Sequence, residues 1–462
     1  ERGLLWLARH QAADGSWSFE NPHCKPHTDD PEYREYLWQL SQTKRRVNRI
    51  EIELRKKQSE LQRVLSQKSV KQNQQVFIEE KIEQLNDELA DAEKSLGQIA
   101  FRPSHRCKCQ DKYFLDRTNP NKFFNRKGYL KGHTKASTSI ALLAFLGAGN
   151  THLGGPYQEV VYRGLEHLKA TLDIELRELN TDIPDFTSTF SGNLYGYGIT
   201  ALVMAEAFGM TGDPDLERYV HALSTFLIKC QHVLGGWRYS PNTPGDITVT
   251  GWQIVALKSC QITGSPVGSD IFDQADKFLD SLTWNTTGDD KDPDPTQYRY
   301  LATKENATEC TSAVGLLCRL YTGWNSNDPR LLQGVKQLLD EKKTPPPVRA
   351  LQLYRNFYLA QILLHIDHPE WKAWNQKNRD YLVREQVTKQ HIENQFHPHF
   401  GYPYCEIGSW YLINHRGDPK NKDSYRDRHL APAGRLAHTA LAILTLEVYY
   451  RLLPIYKPVA IE

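Results

Sequence analysis

Between residues 32 and 100 the apolar positions recur at heptad spacing. Leu40, Val47, Ile50, Leu54, Leu61 and Val64 follow one another at steps of 7, 3, 4, 7 and 3, and Lys57 fills the seam position that is skipped. After a polar stretch, Ser66–Gln75, come Ile78, Ile82, Leu85, Leu89, Ala92, Leu96 and Ile99, whose steps alternate between 4 and 3. Each run lines one face of a helix. The segment contains no Pro and one Gly, Gly97, so neither run is interrupted. Two helices joined by a short break predict an antiparallel coiled-coil hairpin, an arm about 40–50 Å long at about 1.5 Å per residue.

Elsewhere the pattern is of shorter helices, near 1–11, 135–148, 157–171, 196–210, 214–231, 249–262, 269–283, 308–322, 328–341, 353–366, 371–387 and 434–451. They fall into six consecutive pairs. First members are amphipathic, as in Val160, Val161, Leu165 and Leu168. Second members are small and apolar all round, as in Thr138–Ala148, Thr200–Gly209, Thr250–Leu257, Thr311–Tyr321 and Thr439–Tyr450. Helices apolar on every side are buried. Outer amphipathic helices alternating with buried inner ones predict an all-α domain, an (α/α)6 toroid over 1–31 and 101–462, with 32–100 inserted as the hairpin. Gly- and Pro-rich loops at 101–134, 233–248, 284–306 and 388–433 join the pairs, and no strand–helix alternation supports a parallel sheet.

Three loops share a signature: Gln11-Ala-Ala-Asp14-Gly15-Ser16-Trp17, Gln231-His-Val-Leu-Gly235-Gly236-Trp237 and Cys405-Glu-Ile-Gly408-Ser409-Trp410. A Gln at a helix end can bond to unpaired carbonyls, the Gly supplies a left-handed cap, and the Trp packs back with its N–H seeking a carbonyl. Recurrence marks a repeat architecture. Gln-x-x-x-Gly-[Ser/Gly]-Trp resembles the repeat of squalene–hopene and oxidosqualene cyclases, whose fold is shared with protein prenyltransferase β subunits. The resemblance spans about 390 residues, all but the hairpin. Ala141–His152, Gly245–Lys258, Ala313–Trp324 and Gly434–Tyr456 are also similar to a group of bacterial proteins carrying this repeat, many of them planctomycete. The resemblance implies an α/α toroid whose apolar centre takes isoprenoids, and an isomerase or lyase reaction of terpene-cyclase type if the chain turns over at all.

Squalene–hopene cyclases protonate an alkene with the middle Asp of Asp-x-Asp-Asp-Thr, chemistry that needs a neutral acid in a dry pocket. The matching stretch here is Asp246-Ile-Thr248-Val249-Thr250. In register, Asp246 takes the first Asp, while Thr248 stands where the acid belongs and Val249 replaces the last Asp. Shifted by two residues, Asp246-Ile-Thr248 matches the Asp-Cys-Thr of oxidosqualene cyclases and Asp246 becomes the acid. The other reading of Asp246 is an N-cap. This departure puts cyclase turnover in question. Tyr195, Tyr197, Trp252, Phe357 and Tyr358, near inner-helix starts, are candidates to line an apolar cavity or simply to fill the core. Asp246, Cys310 and His438 have the residue types of the prenyltransferase zinc site but lack its Asp-x-Cys pattern. A carbohydrate-active (α/α)6 barrel needs two paired carboxylates; Glu206, Asp246 and Glu309 are the candidates, and no motif pairs them.

His23-Cys24-Lys-Pro-His27 and His105-Arg-Cys107-Lys-Cys109 flank the hairpin. Its antiparallel path brings them together, and Cys24, His27, Cys107 and Cys109, with His23 or His105 as substitutes, suit tetrahedral structural zinc. A Cys24–Cys107 disulfide or free thiols are the alternatives.

Composition sharpens this picture. The chain has 462 residues, 39% of them apolar, with 10 Trp, 23 Tyr and 16 Phe. So many aromatics argue against disorder, and the hairpin accounts for part of the low mean hydropathy of −0.60. The net charge of +2 gives no reason to expect nucleic acid. It hides a split: residues 32–71 carry 11 Lys/Arg against 5 Asp/Glu, and residues 72–100 carry 2 against 7. The arm is thus a candidate surface for a protein partner or a second copy. No run is apolar enough to predict a transmembrane segment. A cytoplasmic or peripheral-membrane location is favoured, and Glu1 leaves open what precedes it.

Overall fold

The computed structural model describes residues 1–19, 31–65, 72–99, 133–177, 193–284, 294–303, 306–340, 353–388, 407–410 and 433–448. The described residues form α-helices with no β-strand, only two isolated bridges, Thr151 to Gly154 and Thr283 to Tyr298. In chain order the helices are α1 (Arg2–Arg9), α2 (Pro31–Leu65), α3 (Gln72–Gln98), α4 (Thr134–Gly147), α5 (Gln158–Arg177), α6 (Leu194–Thr211) and α7 (Pro214–Lys229). They continue as α8 (Ile247–Ile262), α9 (Ser269–Ser281), α10 (Glu309–Thr322), α11 (Pro329–Leu339), α12 (Leu353–His365), α13 (Trp371–Glu385) and α14 (Gly434–Leu446). The chain divides into two units: Lys25–Lys108, and Glu1–Cys24 with Cys109–Glu462.

In the smaller unit α2 packs on α3. Ile50, Leu85 and Ala92 are buried together, with Val47, Leu54 and Leu89 against them. All six are heptad seam positions. Val64 and Ile78, also on the seam, are buried. Lys57, at the skipped seam position, is half-buried and pairs with Glu60 at 2.6 Å.

In the larger unit the helix starts are written locally. Asp213-Pro214 and Asp328-Pro329 open α7 and α11: each Asp accepts a backbone N–H, and Pro takes the first helical position, where no donor is lost. Thr308 and Thr311 form a reciprocal capping box on α10. Burial divides the helices into two kinds. α4 is buried at every residue from Lys135 to Gly147, whereas α7 buries only a stripe led by Leu216, Tyr219, Val220, Leu223, Phe226 and Leu227. The buried kind pack in sequence: α4 on α6, α6 on α8, α8 on α10, α10 on α12, α12 on α14, and α14 back on α4. The amphipathic kind lie against that cycle, α7 on α6 and α8, α9 on α8 and α10, α11 on α10 and α12, with α5 on α4, α13 on α12, and α1 on α14 and α4.

The Trp turns fix where buried helices begin. Trp17, Trp237 and Trp410 donate Nε1–H to the carbonyls of Leu7, Leu227 and Leu382 at 2.8, 2.8 and 2.7 Å. Their peptide N–H groups donate to the hydroxyls of Thr138, Thr250 and Thr439, in α4, α8 and α14, at 3.0, 3.0 and 3.1 Å. Gln11 Nε2 bridges the carbonyls of Gly15 and Val160, and Gln231 Nε2 those of Gly235 and Ile271. In the third turn Gln386, not a residue of the local Gly-Ser-Trp segment, donates to Gly408 O at 2.8 Å. Gly is required here: Gly235 has φ +91°, and a Cβ there would lie 1.9 Å from the Gln274 carbonyl oxygen. A fourth loop reaches a related result without Trp: buried Tyr298 donates its backbone N–H to Ser312 Oγ, and its carbonyl accepts from Thr311 Oγ1.

Candidate functional site

Asp246 sits where α8 begins, fully buried. Its Oδ1 accepts from Thr248 N, Val249 N and Thr248 Oγ1 at 2.9, 2.9 and 2.8 Å, the pattern of a helix N-cap. Its Oδ2 is buried with no hydrogen-bond partner. Burial pushes the carboxyl above the ordinary aspartate range, against the downward pull of those three bonds and of Arg238. Cap and acid are therefore compatible: one oxygen holds the helix, and the other makes no hydrogen bond. Thr248, which one alignment sets in the acid's place, is a donor that orients Asp246.

Tyr195, in the first turn of α6, connects Asp246 to an aromatic group. Burial raises its phenol well above the usual range, Tyr354 and the Asp246 charge add to the rise, and the Thr248 hydroxyl opposes it. Trp252 stacks on Phe357 at 5.8 Å between ring centres and meets Tyr358 edge-on at 6.4 Å. Trp252 Nε1 donates to Tyr354 Oη at 3.1 Å, and the Tyr354 and Tyr358 hydroxyls share a 3.1 Å bond. All four rings are buried. Burial also raises Tyr354 and Tyr358, so the group stays neutral and presents ring faces. Tyr239 stacks on Tyr195 at 6.2 Å and shares a 2.9 Å hydroxyl bond with Tyr300.

Four of the five predicted aromatics, Tyr195, Trp252, Phe357 and Tyr358, thus belong to one neighbourhood. Tyr197 does not. It packs on Phe226 of α7 at 4.8 Å and accepts from Lys135 Nζ at 3.0 Å. Residues two apart on a helix point about 200° apart, so Tyr195 and Tyr197 serve different sides of α6. Tyr354, Tyr239 and Tyr300 were not expected at the site; Tyr354 is legible in retrospect as the helical neighbour, four residues back, of Tyr358.

Of the remaining candidates, Glu206 is buried on α6. Glu309 lies 3.6 Å from Arg355, and burial raises its carboxyl while Arg355 lowers it. His438 is buried, with Nδ1 2.8 Å from Gly434 O. Among the described residues no three His, Cys, Asp or Glu side chains gather to hold a metal, so Asp246, Cys310 and His438 form no such set. Cys24, His27, Cys107, Cys109, His23 and His105 lie outside the described residues. Among the described residues, Cys230, Cys260, Cys310 and Cys318 form no disulfide. No described helix is long and apolar enough to cross a membrane.

No family model matches the chain, and neither a curated protein nor a solved structure does.

The raised Asp246 carboxyl sets a pH dependence. A group whose pKa is higher folded than unfolded leaves stability intact below the unfolded value, about 4 for Asp, and costs stability as pH rises toward the folded value. Asn caps as well as Asp and does not titrate. Asp246→Asn is expected to gain stability relative to wild type between about pH 4 and neutrality, measured by urea unfolding of both proteins across that range. A difference that stays flat with pH would remove the titrating role of Asp246.

Proposed function

We propose that the larger unit is an (α/α)6 toroid of terpenoid-cyclase type that binds an isoprenoid or similar long apolar ligand against Tyr195, Trp252, Tyr354, Phe357 and Tyr358, with Asp246 as its proton donor. The closed packing cycle of six buried helices, with amphipathic helices laid against it, supports the toroid. The observation that carries the function is the half-satisfied Asp246 carboxyl, Oδ1 triply bonded and Oδ2 buried without a partner, beside neutral aromatic faces. A protonated Oδ2 can add its proton to a terminal alkene carbon. The π pair forms the new C–H bond, the aspartate is left anionic, and ring faces steady the cation until it loses a proton. The resemblance in the Trp turns supports the same ligand class.

The smaller unit is read as an antiparallel coiled-coil arm. Six residues, 66–71, join the end of α2 to the start of α3 and span at most about 21 Å, whereas a parallel return along α2 needs about 50 Å. The thiolate and imidazole donors at Cys24, His27, Cys107 and Cys109 suit a structural zinc at the arm's base.

The test is binding and turnover of farnesol and squalene. Wild type is expected to bind one of them with Trp fluorescence quenching. Trp252→Ala and Tyr358→Ala should weaken binding tenfold or more, and Asp246→Asn should keep binding while losing any proton-initiated conversion. No binding of either chain by folded wild type would sink the reading.

A further inference from the structure

This inference rests on reading residues 32–100 as an antiparallel hairpin. Counted from the seam residues Ile50, Leu54, Leu85 and Ala92, the sides of α2 and α3 turned away from each other carry opposite charge. On α2 that side holds Arg45, Arg49, Arg55, Lys56 and Arg63, all exposed, and no acid. On α3 it holds Glu80, Glu83, Asp87 and Asp91, all exposed, against one base, Lys94. The acids of α2, Glu51, Glu53 and Glu60, lie instead beside the seam. Exposed apolar residues stand within both faces: Ile52 among the bases, and Val76 and Phe77, the latter 66% exposed, at the start of the acidic side.

We propose that the arm pairs with the arm of a second copy of this chain, the basic side of α2 on one copy against the acidic side of α3 on the other. Because the two sides face away from each other, the contact is head-to-tail and is made once per pair, and the exposed apolar residues supply its anchors. The charge order selects this partner over a phosphate-rich one. A nucleic acid or anionic bilayer matches only the basic side of α2 and leaves the acidic side of α3 unmatched. A second copy offers the opposite sign to either side.

The test is sedimentation of the full chain in about 50 mM and about 500 mM salt, with two charge-reversed variants. One carries Arg45→Glu, Arg49→Glu and Lys56→Glu; the other carries Glu80→Lys, Glu83→Lys and Asp87→Lys. Wild type is expected to self-associate in low salt, as dimers and larger species, with at least tenfold weaker association in high salt. Each variant alone should sediment at the 53.2 kDa monomer mass. Mixed, the two should restore a heterodimer, a result that simple misfolding of either does not produce. Wild type that is monomeric in low salt, or reversed variants that dimerise as well as wild type, would overturn the proposal. Amide hydrogen exchange separates the two layers of the argument. Protection of the seam segments 47–64 and 78–92 in a monomeric wild type overturns the pairing alone. Absence of protection overturns the hairpin and the pairing with it.

Discussion

Trp237→Ala is expected to lower the stability of the larger unit by about 3–5 kcal/mol, the cost of emptying a fully buried aromatic site. The ring has no exposed surface. Its indole N–H holds the Leu227 carbonyl at 2.8 Å, so the truncation also strands an acceptor at the end of α7. The peptide of the same residue holds Thr250, four residues after Asp246, so the loss should spread to the start of α8. Trp237→Phe keeps most of the volume and loses only the N–H bond, and should cost roughly 1–2 kcal/mol. Thermal unfolding followed by circular dichroism measures both. Because Trp17 and Trp410 make the same two bonds, their alanine variants should behave alike, while Val383→Ala, at a 60% exposed site, should change little. If Trp237→Ala unfolds no earlier than Val383→Ala, the turns are decoration and not the frame of the unit.

A second large effect is expected at Lys135. Its ammonium pairs with Glu175 where α4 meets α5, and the two side chains are only 9% and 7% exposed. The same Nζ lies 4.1 Å from the centre of the Tyr197 ring. Burial pulls the Lys135 pKa down, and Glu175 opposes that pull by hydrogen bond and charge. Removing one partner of such a pair strands the other charge, so Lys135→Met should cost about 3–5 kcal/mol. The double variant Lys135→Met, Glu175→Met removes both charges and should recover most of that loss. Urea unfolding of wild type, single and double variants closes the cycle. A double variant no more stable than the single would show that packing, not the stranded carboxylate, sets the cost.

Helices were legible in the sequence wherever burial is one-sided or complete, because both leave a clear periodic or continuous apolar signal. The seam of α2 and α3 is the clearest case: Ile50, Leu85 and Ala92 were placed by spacing and are buried together. What escaped depends on long-range closure. Gln386 does for the third Trp turn what Gln231 does for the second, but 21 residues separate it from Gly408, so no contiguous motif shows it. Tyr298 holds its loop outside the Gln-x-x-x-Gly-x-Trp pattern, in Asp294-Pro-Thr-Gln-Tyr298. At the site, the sequence locates Asp246 but leaves cap and acid as rivals; the geometry gives the cap to Oδ1 and leaves Oδ2 without a partner. Closeness to a helix start puts Tyr197 with Tyr195 in the sequence, but angular position around α6 separates them.

The Trp turns also determine where this chain can grow. The Trp N–H to Thr hydroxyl bond spans 13 residues in the second turn, 29 in the third and 121 in the first. The bond lengths agree within 0.1 Å, so the closing frame is indifferent to how much chain is threaded through it. For a flexible chain, going from 13 to 121 residues adds only about 2 kcal/mol of closure entropy, less than one buried Trp contributes. The turns therefore act as insertion ports. The segment bearing α2 and α3 lies in the chain between Trp17 and Thr138, the two ends of the first of them, and new modules could be grafted at the same place without disturbing the bonds that close the turn.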